Sequence, residues 1–292
     1  MNRKIIFAIL GLLQGNLLPI AAQGVNNGNP YAEYVGFLPQ EVDGTSTLFM
    51  MDGRLWTCND HGALRLYSLD TLTAAVDSVV DLGVSVYDLE EVTLDEDYLY
   101  FGDFGDNNGS RDDLRILRLA RRDLTDGRYR FDTIAFHYPE RTRASARDYD
   151  CEAFVAGADS LYLFTKQWVS QNTVCYTLPK RPGTYAASRR FVLAVDGLVT
   201  GACLLPGGGT LVLLGYSFLV KPFVYVVSGF DGTRFDQGQG RRLALANPLG
   251  TQTEGIATFD GCRFFVSNET LSLGFLSRQA ALQRLYLSGF LQ

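Results

Sequence analysis

The sequence predicts an all-β protein, a five-bladed β-propeller closed by an N-terminal strand. A three-strand pattern occurs five times, and its starts lie 47, 62, 48 and 54 residues apart. Repeats of about 40 to 50 residues built from short strands are typical of propeller blades. Turn-forming Asp-Gly pairs and the Pro-Gly-Gly-Gly run at 206–209 separate the predicted strands. Both observations favour one ring of similar antiparallel sheets.

Each repeat predicts the strands of one blade. A first strand led by a polar or acidic residue precedes a second strand that ends in a polar cluster, and an apolar third strand follows. Four repeats then add a polar-flanked outer strand, at residues 75–81, 129–137, 190–195 and 241–246. The last repeat has no such strand, so we expect residues 32–38 to pair beside residues 284–287. This pairing would cover the open edge that a linear array leaves.

The N-terminus has the pattern of a secretory signal peptide. Arg3 and Lys4 precede an apolar core at 5–13, and small residues mark the exit at 20–23. The predicted organisation is therefore a signal peptide at 1–23 and a single propeller domain at 24–292. The protein is expected to be exported, to the periplasm or the extracellular space. No later stretch is apolar enough to predict a membrane span.

Charge and cysteine content narrow the classes of partner and site. The net charge is −6, and removal of Arg3 and Lys4 with the leader lowers it to −8. An acidic protein lacks the basic surface that nucleic acids require. The five cysteines contain no CxxC pair, so they predict no zinc site. They are interpreted either as small buried apolar residues or as partners in a disulfide.

The polar residues of the repeat predict two rings around the central channel. Equivalent positions in successive blades face one axis, so residues about 50 positions apart become neighbours. The first ring comes from the first strands and the second from the ends of the second strands. The first ring is Asp43, Glu90, Glu152, Thr200 and Glu254; the second is Asn59, Asp103, Thr165, Gly215 and Asn268, followed by Asp60, Lys166, Tyr216 and Glu269. We expect an acidic funnel at one mouth.

The chemistry of this funnel has three open interpretations. Crowded carboxylates must be hydrogen-bonded, share protons or hold a cation. They could accept backbone N–H groups between blades, bind a divalent cation or act directly in catalysis. Oxygen ligands suit Ca²⁺ or Mg²⁺, and the possible cofactor is therefore Ca²⁺. The tentative metal ligands are Glu90, Asp103, Glu152, Glu254 and Asn268.

Further polar and aromatic residues flank the predicted funnel. Lys166 could pair with the ring carboxylates, and Trp168, Tyr216 and Phe218 could either stack on a ligand or pack in the mouth loops. His61 follows Asp60 and is either an acid–base group or a solvated loop residue. The acidic loop at 103–113 is either a turn or an ion ligand; it lacks the spacing of an EF-hand.

Four segments resemble secreted β-propeller proteins of the Bacteroidetes, a family without an assigned activity. They are YDLEEVTLDEDYLYFGDFGDNNGSRDDLRILRL from residue 87, DYDCEAFVAGADSLYLFTKQW from 148, VTGACLLPGGGTLVLLGYS from 199 and QTEGIATFDGCRFFVSNE from 252. The resemblance implies export and a propeller fold. Glu254-Gly255 and Asn268 are also similar to positions in calcium-dependent gluconolactonase-like and phytase-like propellers.

The sequence thus predicts an exported binding protein with a polar, acidic funnel. Its partner would be a small molecule, a glycan or a protein held at that funnel. The alternative is a divalent-metal-dependent hydrolase that acts on a lactone, a phosphoester or a sugar ester at the same place. Bound metal, measured with and without a chelator, distinguishes the two.

Overall fold

The computed structural model describes residues 30–205, 207–246, 250–273 and 276–291, and it confirms the five-bladed all-β propeller. The signal peptide predicted at 1–23 lies outside the described residues. Within the described ranges, no helix is long and apolar enough to cross a bilayer.

In each blade the four strands counted from the channel form an antiparallel sheet, and in blades 1 to 4 they come in chain order. Blade 5 differs, since its outermost strand is β1 (Ala32–Phe37). The strands from the channel outwards are β2 (Phe49–Met51), β3 (Arg54–Thr57), β4 (Gly62–Leu69) and β5 (Val76–Val86) in blade 1; β6 (Leu89–Leu94), β7 (Tyr98–Asp103), β8 (Arg115–Ala120) and β9 (Phe131–His137) in blade 2; β10 (Asp150–Ala156), β11 (Ser160–Lys166), β12 (Thr173–Pro179) and β14 (Ser188–Leu193) in blade 3; β15 (Leu198–Leu204), β16 (Thr210–Tyr216), β17 (Pro222–Ser228) and β18 (Gln239–Ala244) in blade 4; and β19 (Thr253–Thr258), β20 (Arg263–Asn268), β23 (Ala281–Tyr286) and β1 in blade 5.

The ring closes as the sequence predicts. β1 pairs antiparallel with β23, with Ala32 opposite Leu285 and Phe37 opposite Ala281. Ala32 and Leu38 are buried, so this strand is anchored at both ends. The N-terminal strand therefore covers the edge that the three C-terminal strands of blade 5 leave open.

Several elements were not predicted from the sequence. Between β12 and β14 the chain forms β13 (Gly183–Ala186), which pairs parallel with β9 and so extends blade 2. A short hairpin, β21 (Leu271–Leu273) and β22 (Leu276–Arg278), precedes β23. One helix, α1 (Arg121–Asp126), follows β8, and 3₁₀ turns lie at Gln40–Val42, Ala146–Tyr149 and Phe235–Gln237.

The core lies between the blades rather than around the channel. The buried apolar residues form five clusters, each built from two adjacent blades; Phe104, Phe136, Phe154 and Tyr176, for example, join blades 2 and 3. The inner strands also contact one another between blades 2 and 3, 3 and 4, 4 and 5, and 5 and 1. All five cysteines are unpaired, and three of them are buried. This packing holds the inner strands at fixed positions along the channel.

Candidate functional site

A polar pocket of about 680 Å³ opens at one mouth of the channel. Its volume lies within the range of small-molecule sites, roughly 300 to 1,000 Å³. The lining residues come from all five blades, and most are polar or charged. Seven predicted site residues line it, namely Asp60, Glu90, Glu152, Lys166, Tyr216, Glu254 and Glu269. The structure thus gathers most of the predicted funnel in one place.

β-Bulges at the inner strands place the glutamates of the first ring. The register of each inner strand shifts by an extra residue at Glu90, Glu152 and Thr200, and at Glu254 with its neighbour Gly255. A bulge re-aims a side chain that regular pleating would turn away. The three glutamates line the pocket. Thr200 instead donates its hydroxyl to the Thr253 carbonyl in the next blade, at 2.7 Å.

In blade 1 the prediction for the first ring is wrong. Asp43 is exposed, lies at the end of a 3₁₀ turn and does not line the pocket. The isolated β-bridge between Thr45 and Asn59 is equivalent to the residue pair directly before the bulge in each other blade, such as Leu89 with Asp103 in blade 2. Ser46 therefore holds the equivalent position, and it lines the pocket. The sequence pattern starts this repeat three residues too early because blade 1 has a short inner strand.

The structure places the second ring in the predicted register, but its side chains point away from the pocket. Asn59 donates to the Glu41 carbonyl at 2.8 Å, and Asn268 accepts from Gln283 at 3.0 Å. Neither residue lines the pocket. Strand side chains alternate between faces, so the next residues, Asp60, Lys166, Tyr216 and Glu269, reach it instead.

Asp103 is a structural residue rather than a ligand in the pocket. Its carboxylate is fully buried and lies 2.8 Å from a guanidinium nitrogen of Arg115 and 3.2 Å from one of Arg111. It also accepts the backbone N–H groups of Tyr87 and Asp88. These bonds fix the segment that leads into β6. Of the five tentative metal ligands, only Glu90, Glu152 and Glu254 line the pocket. Asp103 and Asn268 do not line it.

Lys166 forms a buried ion pair at the floor of the pocket. Its Nζ lies 2.6 Å from Glu152 Oε1, and both side chains are buried. Burial disfavours the charged form of Lys166, but Glu152, Tyr216 and Glu254 raise its pKa well above the ordinary value. Lys166 therefore supplies a fixed positive charge among the carboxylates.

Two cationic side chains lie over the ring of Trp168. Lys166 Nζ lies 4.9 Å and the Arg147 guanidinium 5.0 Å from the centre of its ring. Its Nε1 donates to buried Asp150 at 2.9 Å. The indole thus orients both cations beside the pocket. Phe218, the other aromatic residue predicted there, is exposed and does not line the pocket.

Gln252 bridges two carboxylates of blade 5. Its Nε2 donates to Glu254 Oε1 at 2.9 Å and also to Glu269 Oε1. Burial, followed by the negative charge of Glu269, raises the pKa of Glu254 well above its ordinary value. Burial also raises the pKa of Glu269 to about 7. A carboxyl group in this pair can therefore hold a proton near neutral pH.

Asp88 and Glu90 of blade 2 form a second carboxyl pair in the pocket. Both converge on Gly105: a β-carbon there would lie 2.1 Å from Glu90 Oε1 and 2.6 Å from Asp88 Oδ2. Only glycine leaves room for them. Burial, followed by the charge of Asp150, raises the pKa of Asp88 to about 6. Burial and the charge of Glu152 raise that of Glu90 well above the ordinary value.

The remaining sequence candidates have simpler roles. His61 is exposed, and its Nδ1 lies 2.6 Å from Asp60. In the loop at 103–113, Asp106 accepts the N–H groups of Ser110 and Arg111 and pairs with Arg141. This loop is a hydrogen-bonded turn. Within the ranges that the structure describes, no group of three or more His, Cys, Asp or Glu side chains is arranged to hold a metal ion.

Sequence reasoning missed Asp88, Asp150 and Gln252. Each lies two residues before a pocket glutamate, in Asp88-Leu-Glu90, Asp150-Cys-Glu152 and Gln252-Thr-Glu254. That repeated spacing was the signal that could have identified them. Arg147 comes from a connection between blades, and no repeat pattern marks it.

Glu91 closes the channel beneath the pocket. It follows Glu90 on β6 and precedes Val92, which lines a smaller apolar cavity of about 410 Å³ at the other end. Its carboxyl group accepts from Thr47 of blade 1 and from the Ala202 N–H of blade 4, the latter at 3.1 Å. The polar pocket is therefore closed at its base.

Comparison with known proteins shows the fold. No protein-family model matches the sequence, and no curated protein matches it. Among solved structures, an α-L-arabinofuranosidase from Podospora anserina in complex with cellotriose has a TM-score of 0.52 at 11% identity, over 88% of this chain and 96% of that chain. An exo-β-1,3-galactanase from Phanerochaete chrysosporium with β-1,3-galactotriose has a TM-score of 0.57 at 10% identity, over 89% and 65%.

A further similar structure is the catalytic domain of an α-L-arabinofuranosidase from Coprinopsis cinerea, with a TM-score of 0.52 at 10% identity. These proteins are propeller glycoside hydrolases, not members of the two calcium-dependent families that the sequence resembles loosely. At such identities the likeness establishes a shared architecture. The chain has the fold of a five-bladed β-propeller.

Proposed function

We propose that the protein binds a short oligosaccharide in the channel pocket. The observation that carries the proposal is the lining of this pocket, where several carboxyl groups, Lys166 and Tyr216 meet. Such groups both donate and accept hydrogen bonds, as a ligand rich in hydroxyl groups requires. Propellers of similar fold are described with cellotriose and β-1,3-galactotriose. The proposal narrows the predicted partner to a glycan.

Calorimetric titration of the purified protein with cellotriose, β-1,3-galactotriose and the β-1,4-linked trimer of glucosamine tests this proposal. We expect at least one trimer to bind, and Glu90→Gln to weaken its binding. Glu140→Gln is the matched control, because Glu140 is exposed and outside the pocket. Absence of binding by all three trimers to folded protein would overturn the proposal.

Hydrolysis of a glycosidic bond is a second candidate function. It is favoured by carboxyl groups that hold protons near neutral pH beside others in the same pocket. Glycosidases use one protonated carboxyl as the acid and one carboxylate as base or nucleophile. We expect Glu269→Gln to lower release of reducing sugar by about 100-fold or more, within the usual range for acid–base groups. Binding of a trimer without any turnover would contradict hydrolysis and leave a binding protein.

Calcium at the pocket is a separate proposal. Glu90, Glu152 and Glu254 supply the oxygen ligands that Ca²⁺ prefers, but the Lys166 ammonium already lies against Glu152. A calcium titration followed by thermal unfolding decides whether Ca²⁺ binds to these glutamates or whether Lys166 supplies the positive charge there. Stabilisation by Ca²⁺ that disappears in Glu90→Gln would support the ion, whereas an unchanged unfolding temperature would contradict it.

Export to the periplasm or the extracellular space likewise remains a proposal. It rests on the leader pattern at 1–23. Cell fractionation, with sequencing of the mature N-terminus, tests it. Retention of Met1 on cytosolic protein would contradict it.

A further inference from the structure

One side of the pocket is acidic and has no Lys or Arg partner. We call Asp60, Glu254 and Glu269 the acidic wall. Glu254 and Glu269 accept from Gln252, and Asp60 contacts the exposed His61. In the part of the chain that the structure describes, no Lys or Arg nitrogen lies within 4.0 Å of these three carboxylates. The positive charge that Glu254 and Glu269 face is that of Lys166, at longer range.

Ser46 provides an independent sign of a ligand at the same wall. Its side chain is 5% exposed and lines the pocket, and its Oγ has no hydrogen-bond partner among the described residues. It lies in blade 1, whose inner strand contacts β19 of blade 5. Buried hydroxyl groups without a partner are uncommon in folded proteins. A ligand donor placed at the wall would satisfy Ser46 as well.

The charges of the whole pocket show the same imbalance. Six carboxyl groups line it, against the two cations Lys166 and Arg147. Lys166 is committed to Glu152, and Arg147 lies over the ring of Trp168. The whole chain has a net charge of −6. A cationic ligand would therefore be attracted to the pocket from a distance as well as bound inside it.

We infer that the ligand is an amino sugar, a saccharide whose protonated amine lies against Asp60, Glu254 and Glu269. The inference rests on the proposed glycan pocket and adds the charge of the ligand. An ammonium group brings three N–H donors and one positive charge. Two of the three carboxylates accept hydrogen bonds from the ammonium, Ser46 Oγ accepts the third, and the remaining carboxylate contributes its negative charge. A neutral hydroxyl group would supply hydrogen bonds but no charge.

Three matched trimers test the inference. Cellotriose, chitotriose and the β-1,4-linked glucosamine trimer share one backbone and carry a hydroxyl, an acetamido and an ammonium group at the same carbon. We expect the glucosamine trimer to bind about tenfold more tightly than the other two, as one charge-assisted hydrogen bond allows. This preference should shrink as salt is added.

Two charge-neutralising variants locate the effect. Glu269→Gln should remove most of the preference for the amine, so its loss of affinity for the glucosamine trimer should exceed its loss of affinity for the two neutral trimers. Asp77→Asn is the matched control, because it removes one exposed carboxylate from an outer strand. It should leave the preference unchanged. Thermal unfolding confirms that each variant is folded.

The outcomes separate the inference from the proposed function. Equal affinity for all three trimers would overturn the amino-sugar inference and leave the glycan pocket intact. Failure of every trimer would overturn both. Binding of a lysine-containing tripeptide, but of no trimer, would show an amine site that does not recognise sugars and would also overturn the inference.

Discussion

At the scale of single residues, the pocket depends on one buried ion pair. Lys166 and Glu152 are both buried and lie 2.6 Å apart. Such a pair contributes little net stability, but loss of one partner leaves the other charge buried and uncompensated. The positive charge of Lys166 also favours the ionised form of four glutamates, namely Glu90, Glu152, Glu254 and Glu269.

Replacement of Lys166 by Met should therefore destabilise the protein strongly. We expect a loss of about 3–5 kcal/mol in the free energy of unfolding, measured in urea. The double variant Lys166→Met/Glu152→Gln should recover part of it, because Glu152 then no longer carries a buried charge that has lost its ion-pair partner. Lys221→Met, at an exposed lysine, should change stability by less than about 0.5 kcal/mol. A single variant as stable as the wild type would contradict the role of the pair.

The pocket carboxyl groups should make stability fall as pH rises. Folding raises the pKa of Asp88 to about 6 and of Glu269 to about 7, chiefly through burial. The unfolded values are near 3.9 and 4.3, so the folded state binds more protons in between. The stability that these two groups contribute is fully present below about pH 4. It is lost as the pH rises through about 6 for Asp88 and about 7 for Glu269.

Thermal unfolding between pH 5 and about 8 measures this decline. Glu269→Gln should flatten it at the upper end, because the amide does not titrate. Glu140→Gln, at an exposed site, should keep the wild-type slope. Rising stability across this window would contradict the assignment of Asp88 and Glu269.

At the scale of the elements, β1 decides whether the ring is closed. Deletion of residues 30–38 would leave β23 with an unpaired edge, since β1 is its outer neighbour. We expect the truncated protein to aggregate or to unfold at a lower temperature, as light scattering and calorimetry would show. A monomer of unchanged stability would show that β1 is dispensable.

A single glycine tests the same closure more gently. A β-carbon on Gly36 would lie 2.5 Å from the Thr73 carbonyl oxygen, so β1 passes close to the backbone of blade 1. Gly36→Ala should cost about 1–3 kcal/mol through overpacking. Gly289→Ala is the matched control, because no atom of the described residues lies within 4 Å of the position that its methyl group would occupy. Equal stability of both variants would contradict the tight fit.

At the scale of the whole molecule, Glu91 joins blades that are not neighbours. Its carboxyl group is buried in the channel, and it connects blade 2 with Thr47 of blade 1 and Ala202 of blade 4. Burial raises its pKa well above the ordinary value. Glu91 thus closes the base of the pocket and links the ring across its centre.

Glu91→Ala should lower the free energy of unfolding by about 2–5 kcal/mol. The change leaves the Ala202 N–H and the Thr47 hydroxyl without this partner and opens a cavity. Glu96→Ala, at an exposed position just after the same strand, should have little effect. Urea denaturation compares the two, and equal values would contradict a structural link across the channel.

The sequence by itself determined the fold, the closing strand and the four glutamates that line the pocket. The repeat of short apolar strands fixes the number of blades, and the missing strand of the last repeat requires one from the N-terminus. Because equivalent positions converge on one axis, Glu90, Glu152 and Glu254 could be grouped before their contacts were known. The spacing of Asp88, Asp150 and Gln252 was present but was not used.

The tertiary structure alone decided which polar residues reach the pocket. A strand turns successive side chains to opposite faces, and one bulged residue reverses that alternation. For this reason Asn59 and Asn268 became structural residues, while Asp60 and Glu269, one position further on, line the pocket. The partners of each carboxyl group, such as Lys166 for Glu152 and Gln252 for Glu254, follow from contacts between strands and blades, which a local sequence pattern does not encode.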